Sequence, residues 1–330
     1  MNVAVVILNW NGGKLLQQFL PTVLKYSSEA TVYVADNGST DNSVSFISEK
    51  FPSVKIIQNQ SNGGYAKGYN EALKNLSEDI FVLLNNDVEV SDNWLTPVLE
   101  EFKKDEKLTA AQPKILNYNK KEYFEYAGAA GGFIDTFGFP YCRGRIFNTI
   151  EKDEGQFNDT KDIFWATGAC LFIRNTAFQD VDGFDEDFFA HQEEIDLCWR
   201  LLSRGGTIKY FGTSHVFHVG GGTLAAADPK KTFYNFRNSL FVLLKNVRGA
   251  KLWFIILARL VLDGIAGIRY LLEGKPRHTI AIVRSHLSFY LLFRKIYKKR
   301  QLKTVALDYN FETSIVWKYF MKKKKTFKEL

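Results

Sequence analysis

Ile80-Phe81-Val82-Leu83-Leu84-Asn85-Asn86-Asp87-Val88-Glu89-Val90 is the stretch that decides the fold. Five apolar residues run straight into an Asn-Asn-Asp tripeptide, the pattern of a strand covered on both faces that delivers polar side chains to its carboxyl edge. In open α/β sheets that edge is where ligands sit. A hard cation such as Mg²⁺ or Mn²⁺ wants oxygen ligands and is commonly held by one or two carboxylates plus substrate phosphates, so Asp87 is a candidate to hold one. The same tripeptide also forms turns for backbone reasons alone, so the reading depends on what lies beside it.

Upstream, the same event recurs. Val3 to Leu8 is an apolar run of strand length that stops at Asn9-Trp10-Asn11-Gly12-Gly13 and is followed by an amphipathic helix to about Tyr26. Thr31 to Ala35 stops at Asp36-Asn37-Gly38-Ser39-Thr40-Asp41, with a helix to about Lys50, and Val54 to Gln58 leads through Asn62-Gly63-Gly64 into a helix containing Gly68 and Asn70. Strand, polar turn and helix in alternation predict a parallel βαβ start with Asn9, Asp36, Asn62, Asn70 and Asp87 gathered at one sheet edge. Such an edge suits a nucleotide: Asp36 can accept from a ribose hydroxyl or a base edge, and glycines let the backbone approach a ligand.

Composition narrows the class. The chain has 330 residues, 46% hydrophobic and 24% charged, with 28 Phe, as expected of a folded protein with one large core or two modest ones. Cys142, Cys170 and Cys198 are widely spaced with no CxxC pair, which argues for a reducing compartment and against a zinc site. The net charge of +7 hides a division: from Ala226 onward there are 23 Lys/Arg against 6 Asp/Glu, while the preceding body is net acidic. An acidic body joined to a basic tail predicts two modules, the second facing something anionic. Met1-Asn2-Val3 enters a strand-like run without a basic n-region, so a cytoplasmic location is expected.

Taken together, Val6-Ile7-Leu8-Asn9-Trp10-Asn11, Val34-Ala35-Asp36-Asn37-Gly38-Ser39-Thr40-Asp41, Asn62-Gly63-Gly64 with Gly68 and Asn70, and Leu84-Asn85-Asn86-Asp87 resemble family 2 glycosyltransferases of the GT-A fold. Within that family they look most like the rhamnosyltransferase-like branch of bacterial surface polysaccharide synthesis, over the chain from its start to about Gly222. The resemblance implies an α/β, Rossmann-like, mostly parallel central sheet with flanking helices in residues 1–225, divided into a nucleotide-sugar half to about 108 and an acceptor half from about 109. It further implies a nucleotide-sugar donor, a divalent cation (Mg²⁺ or Mn²⁺), and direct transfer with inversion at the anomeric carbon. The donor-binding set would be Asn9, Asp36, Asn37, Asn62, Gly63, Gly64, Asn70 and Asn86. The family's Asp-x-Asp has Asn85 at its first position here.

Two later segments join the site under the same resemblance. Trp165-Ala166-Thr167-Gly168 reads as a loop running into a strand, where Trp165 would stack on a sugar face; an aromatic beside a glycine is equally a core residue. Phe188-Phe189-Ala190-His191-Gln192-Glu193-Glu194-Ile195-Asp196 reads as the beginning of a helix ended by Gly205-Gly206. Acidic residues in a first turn suit the helix dipole without catalysis. Three carboxylates within four residues also repel, and crowding of like charge raises a carboxylate pKa towards a value useful for taking an acceptor's proton. The family's Glu-Asp-x-Asp, matched in register, places Glu194 on the base, with Glu193 as the alternative and Asp196 closing the pattern. Thr207 to Phe211 is expected to be a short strand, followed by His218, which the resemblance makes a second metal ligand beside Asp87, and by Gly220-Gly221-Gly222, suited to a lid.

In the tail, Leu252 to Leu272 is mostly apolar, and Lys245, Arg248, Lys251, Arg259, Asp263, Arg269 and Glu273 fall within an arc of roughly 120° of a helix. That predicts an interfacial helix lying in the headgroup plane rather than a spanning one. A second apolar run, Ile280 to Phe293, feeds into Arg294-Lys295-Ile296-Tyr297-Lys298-Lys299-Arg300, and the chain closes near Lys322 to Lys325, clusters that suit anionic lipid. Residues 226–330 are therefore expected to form a helical, basic, membrane-associating region, with no nucleic-acid motif to claim the charge. The reading is an inverting glycosyltransferase, peripheral on the inner face of the cytoplasmic membrane, extending a lipid-linked glycan or polysaccharide. Its rivals are a sugar nucleotidyltransferase, for which Asn9 to Lys14 makes a poor triphosphate loop, and a non-catalytic scaffold of the same fold.

Overall fold

A computed structural model describes residues 1–220, 228–300 and 307–330. The first half alternates as the periodicity predicts: β1 (Val3–Asn9), α1 (Gly13–Lys25), β2 (Thr31–Asp36), α2 (Ser43–Lys50), β3 (Lys55–Gln58), α3 (Gly64–Leu73) and β4 (Ile80–Asn85). Then come β5 (Val88–Val90), α4 (Thr96–Lys104), β6 (Leu108–Asn117), β7 (Gly132–Asp135), β8 (Pro140–Cys142), β9 (Arg145–Ile146), β10 (Thr149–Ile150), β11 (Thr160–Asp162), β12 (Cys170–Arg174) and α5 (Asn175–Asp180). The remainder is α6 (Glu193–Ser203), β13 (Thr207–His218), α7 (Pro229–Asn246), α8 (Lys251–Leu272), α9 (Pro276–Lys298) and β14 (Asn310–Glu312).

The main sheet runs β11-β13-β6-β12-β4-β1-β2-β3, with β5 paired to β13. Its first four strands are parallel, in the order 3-2-1-4, and Ile80 to Leu84 are wholly buried, so the opening strand is covered on both faces as its composition requires. Beyond β4 the sheet is mixed: β13 runs parallel to β6, its most extensive pairing, and the other strands reverse. β12 runs antiparallel to both β4 and β6, and β11 and β5 run antiparallel to β13. Thr207 to His218 is one long bulged strand, where the sequence suggested a short one stopping at Phe211. The bulge between Phe211 and His215 carries the strand past its first pairing with β6 to a second, and that extension delivers His218.

Packing does not divide near residue 225, although charge does. One hydrophobic cluster runs from Ala4 on β1 through Leu240 to Leu244 on α7 and on to Ile315 and Tyr319. β14 joins the second sheet beside β7, and the Ile315 amide donates to the Asp135 carboxylate at 2.9 Å. The boundary placed at 225 and two of the three lid glycines, Gly221 and Gly222, lie outside the described residues.

Helices of the tail differ from the arc drawn along them. α7 ends at Asn246, and Gly249, at φ +73°, breaks the chain before α8, so Lys245 and Arg248 are not part of the α8 face. The charges at the middle of α8 point inward. Arg259 pairs with Asp263 at 2.8 Å, lies over the Phe139 ring at 3.8 Å and donates to the Phe137 carbonyl, while His286 on α9 lies 3.2 Å from Asp263. Its apolar side chains face outward instead: Trp253, Phe254, Leu257, Val261, Ile265, Ile268 and Leu272 are each more than half exposed. Three of the five cations between Arg294 and Arg300 are likewise taken up by the body. Lys295 pairs with Asp187, Lys299 with Asp185 and Asp187, and Arg300 donates to the Leu244 and Val247 carbonyls. Among the described residues no helix is long and apolar enough to cross a membrane.

Candidate active site

Register sets the floor of the site. Asn9 stands opposite Asp36 across β1 and β2, and Leu8 opposite Asn85 across β1 and β4, so the polar residues ending these strands meet at one edge. A cavity of about 2750 Å³ opens over that edge. Its wall includes Asn37, Asn62, Gly64, Asn86 and Asp87 from the first half of the chain, and Trp165, Glu193, Glu194 and His218 from the second. The acidic end of the fourth strand and the first turn of α6 therefore share one chamber.

Asp87 and His218 meet because β13 pairs with β5. His218 stands opposite Val88, and the Val219 amide donates to the Asp87 carbonyl at 3.1 Å. The imidazole Nε2 lies 3.1 Å from Asp87 Oδ1, and Nδ1 lies 3.4 Å from Glu125 Oε2. Burial alone would push the His218 pKa down, but the two carboxylates outweigh it and raise it to about 10. Burial would also raise the Asp87 pKa, and its bond to His218 holds it below the usual carboxylate range instead. Glu125, which the sequence reading missed, is brought here because its amide bonds back to Ile115 on β6. Gly220, at φ +74°, leaves room for it: a Cβ there would meet Glu125 Oε1 at 2.8 Å. Among the described residues no cluster of three or more His, Cys, Asp or Glu is placed to hold a metal by itself. One carboxylate and one imidazole nonetheless form a donor set that would fit Mg²⁺ or Mn²⁺ completed by phosphate oxygens, provided the cation displaces the proton from His218 Nε2 while Glu125 keeps the Nδ1–H.

The carboxylates of α6 are held in an unusual way. Phe189, His191 and Gln192, immediately before Glu193, have φ of +62°, +69° and +68°, a conformation that costs non-glycine residues about 1 kcal/mol or more each. α7 imposes it: Asn238 donates to the carbonyls of Phe188, Ala190 and His191 at 3.0, 2.9 and 2.7 Å. The resulting turn leaves Glu193 Oε2 and Glu194 Oε2 buried with no hydrogen-bond partner. Burial, and for Glu193 also the neighbouring Glu194 charge, raises both pKa values: Glu193 well above the ordinary range, Glu194 to about 7. Of the pair, Glu194 is the group that ionises near neutrality.

Several expected ligand residues serve the architecture instead. Asp196 is wholly buried and turned from the cavity, bound by Arg200 at 2.8 Å, Lys245 at 2.8 Å and Asn246 at 2.9 Å; Lys245 also grips Asp185 at 2.6 Å. It is an anchor of α6 to α7 and has no free oxygen for a proton. Asn9 is wholly buried, donating to Asp36, Ser39 and Ser43 and accepting from Asn86, and Asp36 accepts from Asn9 and from the Ser39 amide. Both brace the loop that carries Asn37, one layer behind the wall. Asn70 is occupied by the Phe184 backbone, which it binds through both ends of its amide, and Gly63 also stands off the wall. Gly64 meets the wall at φ +78°, packed so closely on the Phe189 carbonyl that a Cβ would approach to 2.4 Å. Trp165 lies against Gly132, donates to the Phe133 carbonyl at 3.0 Å and is 4% exposed, so it offers the cavity an edge and not an open ring face. All three cysteines are buried and free.

Comparison with known proteins agrees with this geometry. The chain is 26% identical over 230 residues to the N-acetylglucosaminyl-diphospho-decaprenol L-rhamnosyltransferase of Mycobacterium tuberculosis, covering 65% of this chain and 75% of that protein. It is 25% identical over 168 residues to the rhamnosyltransferase WbbL of Escherichia coli K12, covering 48% of this chain and 62% of that one. In fold it matches the crystal structure of GalNAc-T7 with UDP, GalNAc and Mn²⁺ at a TM-score of 0.58 and 17% identity, over 74% of this chain and 48% of the other. The family model for glycosyl transferase family 2 matches residues 4–182, which span strands β1 to β4 and the Asp87 turn, and the chain accordingly belongs to that family, as a glycosyltransferase of GT-A fold.

Proposed function

We propose that this glycosyltransferase moves a sugar from a nucleotide-sugar donor, dTDP-rhamnose-like or a UDP-sugar, to a hydroxyl of a lipid-linked glycan, with inversion at the anomeric carbon. The observation that carries the reading is the single cavity shared by Asp87 and His218 on one side and Glu193 and Glu194 on the other. Asn37, Asn62 and Asn86 offer amide donors and acceptors to the nucleotide. Asp87 and His218 would hold a divalent cation, which supplies charge neutralisation for the departing diphosphate when bound. Glu194, half-buried and ionising near neutrality, takes the proton of the acceptor hydroxyl as its oxygen bonds to the anomeric carbon and the bond from that carbon to the diphosphate breaks. Glu193 stays protonated beside it, so the pair carries one negative charge.

The relatives and the outward apolar faces of α8 and α9 support work at the inner face of the cytoplasmic membrane, as a peripheral protein. The test is release of nucleoside diphosphate from a panel of nucleotide sugars with and without Mn²⁺. Metal-dependent release that Asp87→Ala and Glu194→Gln each abolish is expected. Release of pyrophosphate from a nucleoside triphosphate, or full turnover by both variants, would refute the assignment.

A further inference from the structure

The cavity does not end at the carboxylates. It continues past the first turn of α7 and along one side of α8, where Phe254, Leu257, Val261 and Ile265 recur at i, i+3/i+4 spacing, and its wall also includes Trp317 and Met321. All six are more than half exposed. From Phe254 to Ile265 the helix rises about 17 Å, so the apolar trough is longer than a sugar needs.

Between trough and carboxylates stand cations in short supply of partners. The Arg145 guanidinium lies 4.4 Å and the Lys231 ammonium 5.9 Å from the centre of the same ring, Tyr126. Arg145 spends its Nε on the Tyr126 carbonyl and its Nη2 on Cys142 Sγ at 3.5 Å, but makes no ion pair among the described residues. Lys231 is partly buried and makes no ion pair among the described residues; Glu125, the carboxylate whose charge acts on it, is committed to His218 and to the Ala127 amide. Lys230, Arg277 and Arg284 line the same cavity and are also without ion pairs among the described residues. Two positive charges against one ring, Arg145 buried and Lys231 partly so, repel each other and favour an anion.

Resting on the glycosyltransferase reading, we propose that this junction binds the acceptor's lipid carrier: its phosphate or diphosphate sits on Lys231 and Arg145, and its apolar chain runs along the α8 trough. The glycan hydroxyl then reaches Glu194 from the side opposite the donor, and the carrier enters sideways from the bilayer on which α8 and α9 rest. A free phosphate would not use the trough, and a neutral lipid would not use the cations.

Binding can be read without turnover. Farnesyl diphosphate, inorganic pyrophosphate and farnesol are titrated into the full chain by calorimetry, with EDTA present so that the metal-dependent donor site is silent. Farnesyl diphosphate should bind about ten-fold or more tighter than either of the others, since each lacks one half of the interaction. Lys231→Gln should weaken it about ten-fold while leaving the melting temperature unchanged, and Leu257→Gln with Ile265→Gln should bring its affinity down to that of pyrophosphate; Lys50→Gln, at the end of α2 and off the cavity wall, should change nothing. Equal binding of pyrophosphate and farnesyl diphosphate to the wild-type chain, or undiminished affinity in Lys231→Gln, would overturn the proposal. Failure here would leave donor cleavage and its dependence on Asp87 untouched, and failure of donor cleavage would leave this binding result standing.

Discussion

Replacing the proposed base, Glu194, should make the protein more stable, and only at the right pH. Glu194 has its pKa raised from 4.5 to about 7 by burial, so its ionised form is disfavoured in the folded state relative to the unfolded chain. The direction follows from linkage: for an acid with a raised folded pKa the penalty is absent below about 4.5, grows as pH rises, and is complete above about 7. At about 1.4 kcal/mol per pKa unit the ceiling is roughly 3 kcal/mol, and with part of the side chain open to the cavity and Glu193 beside it, roughly 2 kcal/mol is expected. Glu194→Gln removes that ionisation at nearly constant shape. Thermal unfolding of both proteins without donor or metal should give coincident midpoints at pH 4.5 and a variant a few degrees more stable at pH 8, alongside loss of transfer. Equal offsets at the two pH values, or a variant less stable at pH 8, would show that burial does not strain this carboxylate and would remove the physical basis for its role as base.

Other consequences can be checked separately. Asn238→Ala frees three carbonyls that hold the left-handed turn before α6, and should lower kcat by roughly ten- to a hundred-fold with little change in donor KM, read from steady-state kinetics. Glu125→Gln withdraws one of the two carboxylates that orient His218, and should weaken Mn²⁺ about ten-fold in the presence of a nucleoside diphosphate, measured by the free Mn²⁺ signal in electron paramagnetic resonance. Ile268→Glu with Leu272→Glu and Leu287→Glu places charge on the outward face of α8 and α9, and should abolish sedimentation with vesicles containing anionic lipid while donor cleavage persists. Point changes suit this test better than truncation, because Tyr309, on Trp199 at 4.5 Å, and the buried Ile315 make the chain after α9 part of the core.

What could be read along the chain was whatever depends on near neighbours in sequence. Val3 to Leu8, Thr31 to Ala35 and Ile80 to Leu84 announced strands by composition, their polar stops announced a binding edge, and Glu193-Glu194 announced a pair of carboxylates crowded by adjacency alone. Side-chain direction was not legible, because it is set by partners far away in the chain. Asp196 looks like its two acidic neighbours until Lys245, 49 residues on, and Arg200 take up its oxygens. Asn9 and Asp36 look like ligands until they are found bonded to each other across 27 residues. Glu125 carries no local signal, since only the pairing of β13 with β5 and β6 brings His218 to it. The polar stripe of α8 was correctly located but assigned to the wrong side: a helix's charges mark one face of it, and whether that face meets water or protein is settled by what packs there, here Phe139 and the Phe137 carbonyl closing on Arg259.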